Sequence, residues 1–293
     1  MFRNEVQKKI GLTRKAITYY EEKGLIHPTK LENGYRDYSE KDVAILSQIS
    51  IFRKLGISIS DMKQYLSNNE SLTSLLREKE HQLDREEKRK EILVLMLQGE
   101  SQNRINEKIN RLEAEESIYV RLKRAFPGYF GDLLFASYQP FFDEPLDEEG
   151  KEAFQQFIEY LDNLPPFVLS QEEKVYIEQF SSCFDRKALK AIHQTKQEAI
   201  ENVETWLQAN KECVSQYESY KNSEEYQKSP MKSIQDQLQE YMEQNKYYEI
   251  AIPLIRKFSR SYDSYYKKLL KANEQYIHCT QDIYSKDVVN PKF

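Results

Sequence analysis

Leu12-Thr13-Arg14-Lys15-Ala16-Ile17-Thr18-Tyr19-Tyr20-Glu21-Glu22-Lys23-Gly24-Leu25-Ile26, followed by Asn33-Gly34-Tyr35-Arg36-Asp37-Tyr38, decides the fold of this chain. Thr13 is placed to cap a helix that runs to Lys23 and stops at Gly24. At helical spacing Ala16, Ile17 and Tyr20 face inward with Val6, while Arg14, Lys15, Thr18 and Tyr19 take the free face. Asn4 to Lys9 predicts a short preceding helix and Ile10-Gly11-Leu12 the turn, so the two helices make a helix-turn-helix. Asn33-Gly34 is the favoured pair for a two-residue type I′ turn between Lys30–Glu32 and Tyr35–Tyr38. Strands this short make sense as a wing on the helices, with Tyr35 and Arg36 offered to phosphates. Arg14 and Lys15, in the first turn of the second helix, are the expected readers of base edges.

Outward from this stretch, Ser39 predicts an N-cap with Asp42 at the capping-box position. The helix from about Glu40 to Leu55 would bury Val43, Leu46, Ile49 and either Ile51 or Phe52, and Gly56 ends it. Ser60 is expected to cap one more helix, Asp61 to Leu66. Residues 1–60 hold eleven Lys/Arg against seven Asp/Glu, whereas the whole chain of 293 residues carries a net charge of −5. Basicity gathered at one end of an acidic protein fits a nucleic-acid module.

Three blocks now stand in order: Gly-Leu-Thr-Arg-Lys-Ala-Ile-Thr-Tyr-Tyr-Glu-Glu-Lys-Gly-Leu-Ile at 11–26, Asn-Gly-Tyr-Arg-Asp-Tyr-Ser at 33–39, and Arg-Lys-Leu-Gly-Ile-Ser at 53–58. Together they resemble the winged helix-turn-helix of MerR-family regulators, over about 115 residues when the dimerisation helix is included. The resemblance implies a homodimer on a palindromic promoter operator, distorting the DNA on effector binding and so acting on RNA polymerase indirectly. The DNA contacts expected here are Thr13, Arg14, Lys15, Thr18, Tyr19, Tyr35, Arg36, Tyr38 and Lys54. Tyr20 and Tyr38 also fit as core aromatics. Many family members carry Arg where Thr18 stands, and the start lacks the usual Ile-Gly before Glu5-Val6, so the family's sequence preference transfers less well than its architecture.

From Leu72 a long helix is expected. Leu72, Leu76, Lys79, Leu83, Glu86, Lys90, Leu93 and Leu97 follow a heptad alternation whose three polar positions suit an antiparallel pairing better than a parallel zipper. An intramolecular helix hairpin is the plainer alternative, and the resemblance favours pairing between subunits. Ile105, Ile109, Leu112 and Tyr119 form a second series out of register with the first, predicting a kink or break near Gly99. The expected domains are therefore residues 1–70, winged helix-turn-helix; 71–116, dimerisation helix; and 117–293, effector domain.

The remainder holds 29 of the 36 aromatic residues and reads as helical nearly throughout. Phe154, Phe157, Ile158 and Leu161 mark one helix before Pro165-Pro166, and Val175, Ile177 and Phe180 another after a Ser170 cap. Asp185 to about Tyr220 reads as one long helix with Leu189, Ile192, Ile200, Val203, Trp206 and Leu207. Ile234, Leu238, Tyr241 and Met242 follow, and the last segment runs from Ile252 to Ile283, with Pro253 kinking it or marking its start. The expected fold class is thus all-α with a small β-hairpin wing and a C-terminal helical bundle.

A bundle can hold a ligand between its helices, and aromatic walls with a few carboxylates suit a small aromatic or lipophilic effector. Tyr247-Tyr248-Glu249, Tyr262-Asp263 with Tyr265-Tyr266, and Phe157 with Glu159-Tyr160 are places where such a lining could arise, though core packing accounts for most of these rings. A protein-docking role for the same domain is the alternative. No Gly-rich phosphate loop, G-x-S-x-G elbow or H-E-x-x-H motif occurs, so neither an enzyme nor a cofactor is expected. Cys183, Cys213 and Cys279 are 30 and 66 residues apart, and with His27, His81, His193 and His278 scattered they predict neither disulfides nor a metal site or metal sensing. The longest apolar run, Ile92–Leu97, falls far below the roughly 20 residues of a bilayer span, and no leader is evident near Met1; a cytoplasmic location without membrane contact is expected.

Overall fold

A computed structural model describes residues 1–68, 72–142 and 144–281, and the chain divides into two compact units, Met1–Leu75 and a second that begins at Leu76. The boundary expected at residue 70 falls in 69–71, outside the described residues. Ile283 and the side chains of His278 and Cys279 also lie outside them.

In the first unit α1 (Arg3–Ile10) and α2 (Arg14–Glu22) make the helix-turn-helix, and the Thr13 hydroxyl accepts the backbone N–H of Ala16 at 3.2 Å as the cap. The wing consists of β1 (Thr29–Lys30) and β2 (Arg36–Asp37), antiparallel, with Thr29 opposite Asp37 and Lys30 opposite Arg36. Its turn differs from the expected two-residue form. Leu31 accepts a hydrogen bond from the Gly34 N–H and donates its own N–H to the Tyr35 carbonyl, so three residues make the loop. Gly34 alone in that loop has positive φ, at 80°. Asn33 keeps ordinary φ and accepts the Tyr35 N–H with its side chain, which gives a β-turn followed by a left-handed glycine.

α3 (Glu40–Lys54) carries the expected cap in full: Ser39 accepts the Asp42 N–H at 3.1 Å, and the Asp42 carboxylate accepts the Ser39 N–H at 3.0 Å. That carboxylate also accepts the His27 N–H at 3.0 Å, tying the loop after α2 to the start of α3. Phe52 rather than Ile51 packs inward, since Ile51 is 54 % exposed. α4 (Ile59–Asn68) starts earlier than expected, because Ser58 and not Ser60 accepts the Asp61 N–H. Val6, Ile17, Tyr20, Ile26, Tyr38, Leu46, Ile49 and Met62 form the core between these elements.

α5 (Leu72–Leu97) and α6 (Gln102–Ala125) are separate helices, as the offset of the two apolar series predicts. Gly99 turns the chain at φ 75° and Ser101 caps α6 through the Arg104 N–H. Cross-links from Glu78 to Tyr119, His81 to Glu116 and Lys88 to Glu115 run in opposite chain directions, so the two helices form an antiparallel intramolecular hairpin. α7 (Tyr129–Tyr138), α8 (Glu148–Asn163), α9 (Gln171–Phe180) and α10 (Arg186–Glu201) follow. The single helix expected from Asp185 to Tyr220 is broken twice. Asn202 adopts φ −150° and caps α11 (Val203–Ala209) by accepting the Thr205 N–H, and Asn210 separates α11 from α12 (Lys211–Lys221). An asparagine side chain that bonds the backbone locally favours such breaks over helix interiors.

After α13 (Glu224–Gln227) and α14 (Pro230–Gln244), a single π turn, Tyr247–Ala251, leads into α15 (Ile252–Phe258), with Pro253 in its first turn. Ser259 divides α15 from α16 (Arg260–Gln281): its hydroxyl accepts the Tyr262 N–H and donates to the Phe141 carbonyl. The core of this unit gathers Leu122, Phe126, Phe157, Leu161, Ile234, Met242, Tyr247 and Ile255. Among the described residues no helix is long and apolar enough to cross a membrane.

The face that α5 turns into this unit buries Ile92 but is otherwise marked by charged side chains. Arg77, 2 % exposed, donates through Nε to Asp132 at 2.7 Å and through Nη1 to the Phe184 carbonyl at 3.1 Å. Arg186 donates to Asp84 at 2.9 Å and approaches His81 Nδ1 at 3.4 Å, while His81 Nε2 lies 3.0 Å from Glu116. A donor at Nδ1 and a carboxylate at Nε2 select the neutral tautomer protonated on Nε2. The imidazole stacks on Tyr119 with ring centres 3.5 Å apart, and each of two cavities beside it measures about 10 Å³, room for about one water.

Two outcomes follow from this packing. Burial opposes ionisation of Asp42, but the Ser39 hydroxyl and the N–H groups of His27 and Ser39 outweigh it and hold the carboxyl below its usual 3.8. The charged form therefore stabilises the fold above that value, and the contribution is lost as pH falls through the lowered one. Asp42→Ala should cost about 1–3 kcal/mol in urea unfolding at neutral pH, because two N–H groups lose their acceptor.

Burial, reinforced by Arg186 and Arg85 against the opposing pull of Glu116, pushes His81 down from 6.5 to about 4. Between those values the unfolded chain takes up a proton that the folded one refuses, so stability falls as pH is lowered through that window. Thermal melts from pH 7 to pH 5 should show a steeper loss for the natural chain than for His81→Gln. Parallel profiles would remove His81 as the cause.

Candidate nucleic-acid interface

Because Ile17 is fully buried and Tyr20 is 6 % exposed, the rotation of α2 about its axis is fixed. That rotation leaves Thr13, Arg14 and Lys15 exposed at the N-terminal end, Thr18 half-buried and Tyr19 exposed. Tyr19 packs edge-on against Tyr20, and the Lys23 ammonium lies 5.5 Å from its ring centre in a cation–π arrangement. The N-terminal ends of helices favour anions.

On the wing Tyr35 is 66 % exposed beside Phe2. Lys30, opposite Arg36 in the ladder, is exposed as well and was not among the expected contacts. Lys54, at the end of α3, is exposed, while its neighbour Arg53 donates to the Ile57 carbonyl at 3.0 Å and so closes the turn after α3.

Two expected contacts are placed differently. Tyr38 is 1 % exposed, sits in the core of the unit, and accepts a hydrogen bond from Arg3 Nε at 3.1 Å through its hydroxyl. Its ring packs at the base of the wing in the same core as Val6, Ile17 and Leu46. Arg36 is half-buried and donates through Nε to Glu21 Oε1 at 2.7 Å, so part of its guanidinium is engaged within the unit. Arg3 Nη2 stands 4.0 Å from the other carboxylate oxygen of Glu21. Sequence reasoning passed over Arg3 and Glu21. The available signal was a carboxylate on the otherwise cationic face of α2, at the i, i+4, i+7 spacing of Arg14, Thr18 and Glu21.

Comparison with known proteins addresses the same residues. The MerR HTH family regulatory protein model matches residues 3–69. An uncharacterized HTH-type transcriptional regulator of Synechocystis sp. is 40 % identical over 73 residues, covering 24 % of this chain and 53 % of that protein. HTH-type transcriptional regulator HmrR of Rhizobium leguminosarum bv. viciae is 43 % identical over 63 residues, 22 % of this chain and 49 % of its own. HTH-type transcriptional regulator AdhR of Bacillus subtilis is 40 % identical over 62 residues, 21 % of this chain and 44 % of its own. The chain thus spans about half the length of the curated relatives it matches. No solved structure matches it. Helix-turn-helix, wing and family model coincide in one unit, and residues 3–69 are a MerR-family helix-turn-helix domain.

Proposed function

We propose that this chain is a DNA-binding transcription regulator that acts as a homodimer on a palindromic operator within a promoter. The observation that carries the reading is the rotation of α2. Ile17 and Tyr20 bury one side and leave Arg14, Lys15, Thr18 and Tyr19 on the other, and the wing residue Tyr35 is exposed as well. Arg14 and Lys15 read base edges in the major groove, while Thr13, Thr18, Tyr19, Tyr35, the remaining N–H groups of Arg36, and Lys54 bond phosphates. The similarity to HTH-type transcriptional regulators supports the same function.

Dimerisation is proposed through α5. Its heptad leucines Leu72, Leu76, Leu83, Leu93 and Leu97 are 61, 47, 58, 60 and 88 % exposed. A row of leucines along one face is an association surface, and an antiparallel second copy of α5 would cover it. Residues 71–116 then serve as the dimerisation segment between a DNA-binding part at 1–70 and an effector part at 117–293.

The effector is proposed to be a small aromatic or lipophilic molecule that shifts the dimer toward a form bending and untwisting the operator, so that RNA polymerase can use the promoter. Phe157, Tyr247 and Tyr262 belong to the packed core, whereas Tyr248, Tyr265 and Tyr266 are partly buried at its margin. The marginal rings are thus the ones open to a ligand.

In gel shifts with the DNA upstream of its own gene, Arg14→Ala combined with Lys15→Ala should weaken binding at least tenfold. Unaltered affinity would remove these residues from base reading. Sedimentation should show that Leu83→Glu converts a dimer to a folded monomer, since this leucine is exposed within one chain and the change costs that chain little. A natural chain that sediments as a monomer, or a variant that remains dimeric, would contradict pairing through α5.

A further inference from the structure

We propose that Glu21 is a positioning residue for DNA binding, one that fixes the wing against the recognition helix through Arg36; this rests on the DNA-binding reading above. The wing cannot set its own angle. Its strands are two residues each, and an isolated two-stranded hairpin is marginal in water. External ties are therefore needed: Phe2 pairs with Asp37 and the Met1 carbonyl accepts the Tyr38 N–H at the base of the wing, and toward α2 the Glu21 carboxylate accepts Arg36 Nε at 2.7 Å, with the two side chains only 21 % and 28 % exposed.

A carboxylate on the face of α2 that bears Arg14 and Thr18 would repel a phosphate backbone unless it were neutralised. Arg36 at 2.7 Å and Arg3 at 4.0 Å do so, leaving the group of three with one net positive charge. Using Nε for Glu21 leaves four N–H donors on Nη1 and Nη2 of Arg36 in a fixed fork, the geometry that suits a phosphate. Arg3 donates in turn to Tyr38, at the end of β2, so α1, α2 and the wing are joined through this cluster. Glu21 thus sets where the wing's cation stands, and removing its negative charge should not weaken general attraction to DNA.

The test uses the full chain with Glu21→Ala, Glu21→Gln, Arg36→Ala and the double change Glu21→Ala/Arg36→Ala. Binding is measured on the upstream duplex and on a scrambled duplex of equal length. Glu21→Ala should lose about tenfold on the upstream duplex while holding or gaining affinity on the scrambled one. Glu21→Gln, which keeps an acceptor for Arg36, should retain more of the discrimination. The double variant should bind the upstream duplex no more weakly than Arg36→Ala alone.

Wild-type binding by Glu21→Ala, an equal loss on both duplexes, or additive losses in the double variant would overturn the proposal. If circular dichroism shows Glu21→Ala unfolded, the same comparison is made with Glu21→Gln, for which undiminished discrimination overturns it. A natural chain that binds neither duplex would instead bring down the DNA-binding reading itself.

Discussion

Burial of Ile17 and Tyr20 is the interaction on which the first unit depends. A unit of about 75 residues has little apolar surface to spare, and α2 contributes these two side chains to a core shared with Val6, Tyr38, Leu46 and Ile49. Once they are buried, the helix has no freedom to rotate, and the positions of Arg14, Lys15, Thr18 and Tyr19 on the surface follow from 3.6 residues per turn. The wing is anchored by Tyr38 in that core and by the N-terminal residues, where Phe2 pairs with Asp37 and the Met1 carbonyl accepts the Tyr38 N–H, and Arg3, Arg36 and Glu21 add charged contacts. Hydrophobic burial thus orients the helix, and the wing is placed by backbone pairing at its base together with the paired charges.

The second unit uses the opposite arrangement on α5. Leu83, Leu93 and Leu97 point to solvent, while Arg77 and His81 are enclosed with Asp132, Glu116 and Arg186. Charges taken out of water recover their desolvation cost only with good geometry and complete pairing, so an ionic contact of this kind contributes less to stability than an apolar one of equal size. Its consequence is specificity of register: Arg77 reaches Asp132 and two backbone carbonyls, and Arg186 reaches Asp84, in one placement of α5 against α7 and α10. The leucines on the outward face stay exposed within one chain.

Much of the first unit was legible in the sequence, because local signals there agree. Thr13 and Ser39 cap the helices they precede, and the two periodicities separate helix from wing. The misplacements have local causes too. Asn33 spends its side chain on the Tyr35 N–H instead of adopting positive φ, and Ser58 outcompetes Ser60 as the α4 cap. The buried side of α5 was not legible. Arg77 and Asp132 are 55 residues apart and His81 and Glu116 are 35 apart, and a buried charge is recognisable only through a partner that folding brings to it. Glu21 was hidden for the same reason, since its meaning depends on Arg36 across the wing. In residues 117–293 the periodicity identified several helices, but Asn202 and Asn210 broke one expected helix and Ser259 another, by side-chain bonding that hydrophobic spacing does not register.

Hydroxyl-radical footprinting of the DNA upstream of the gene, with the full chain at low salt, tests the central claim most directly. Two symmetric protected patches, separated by whole turns of the duplex at about 10.5 base pairs each, are the predicted result for two winged helices on a palindrome. A folded protein that leaves every backbone position equally cleaved would contradict it.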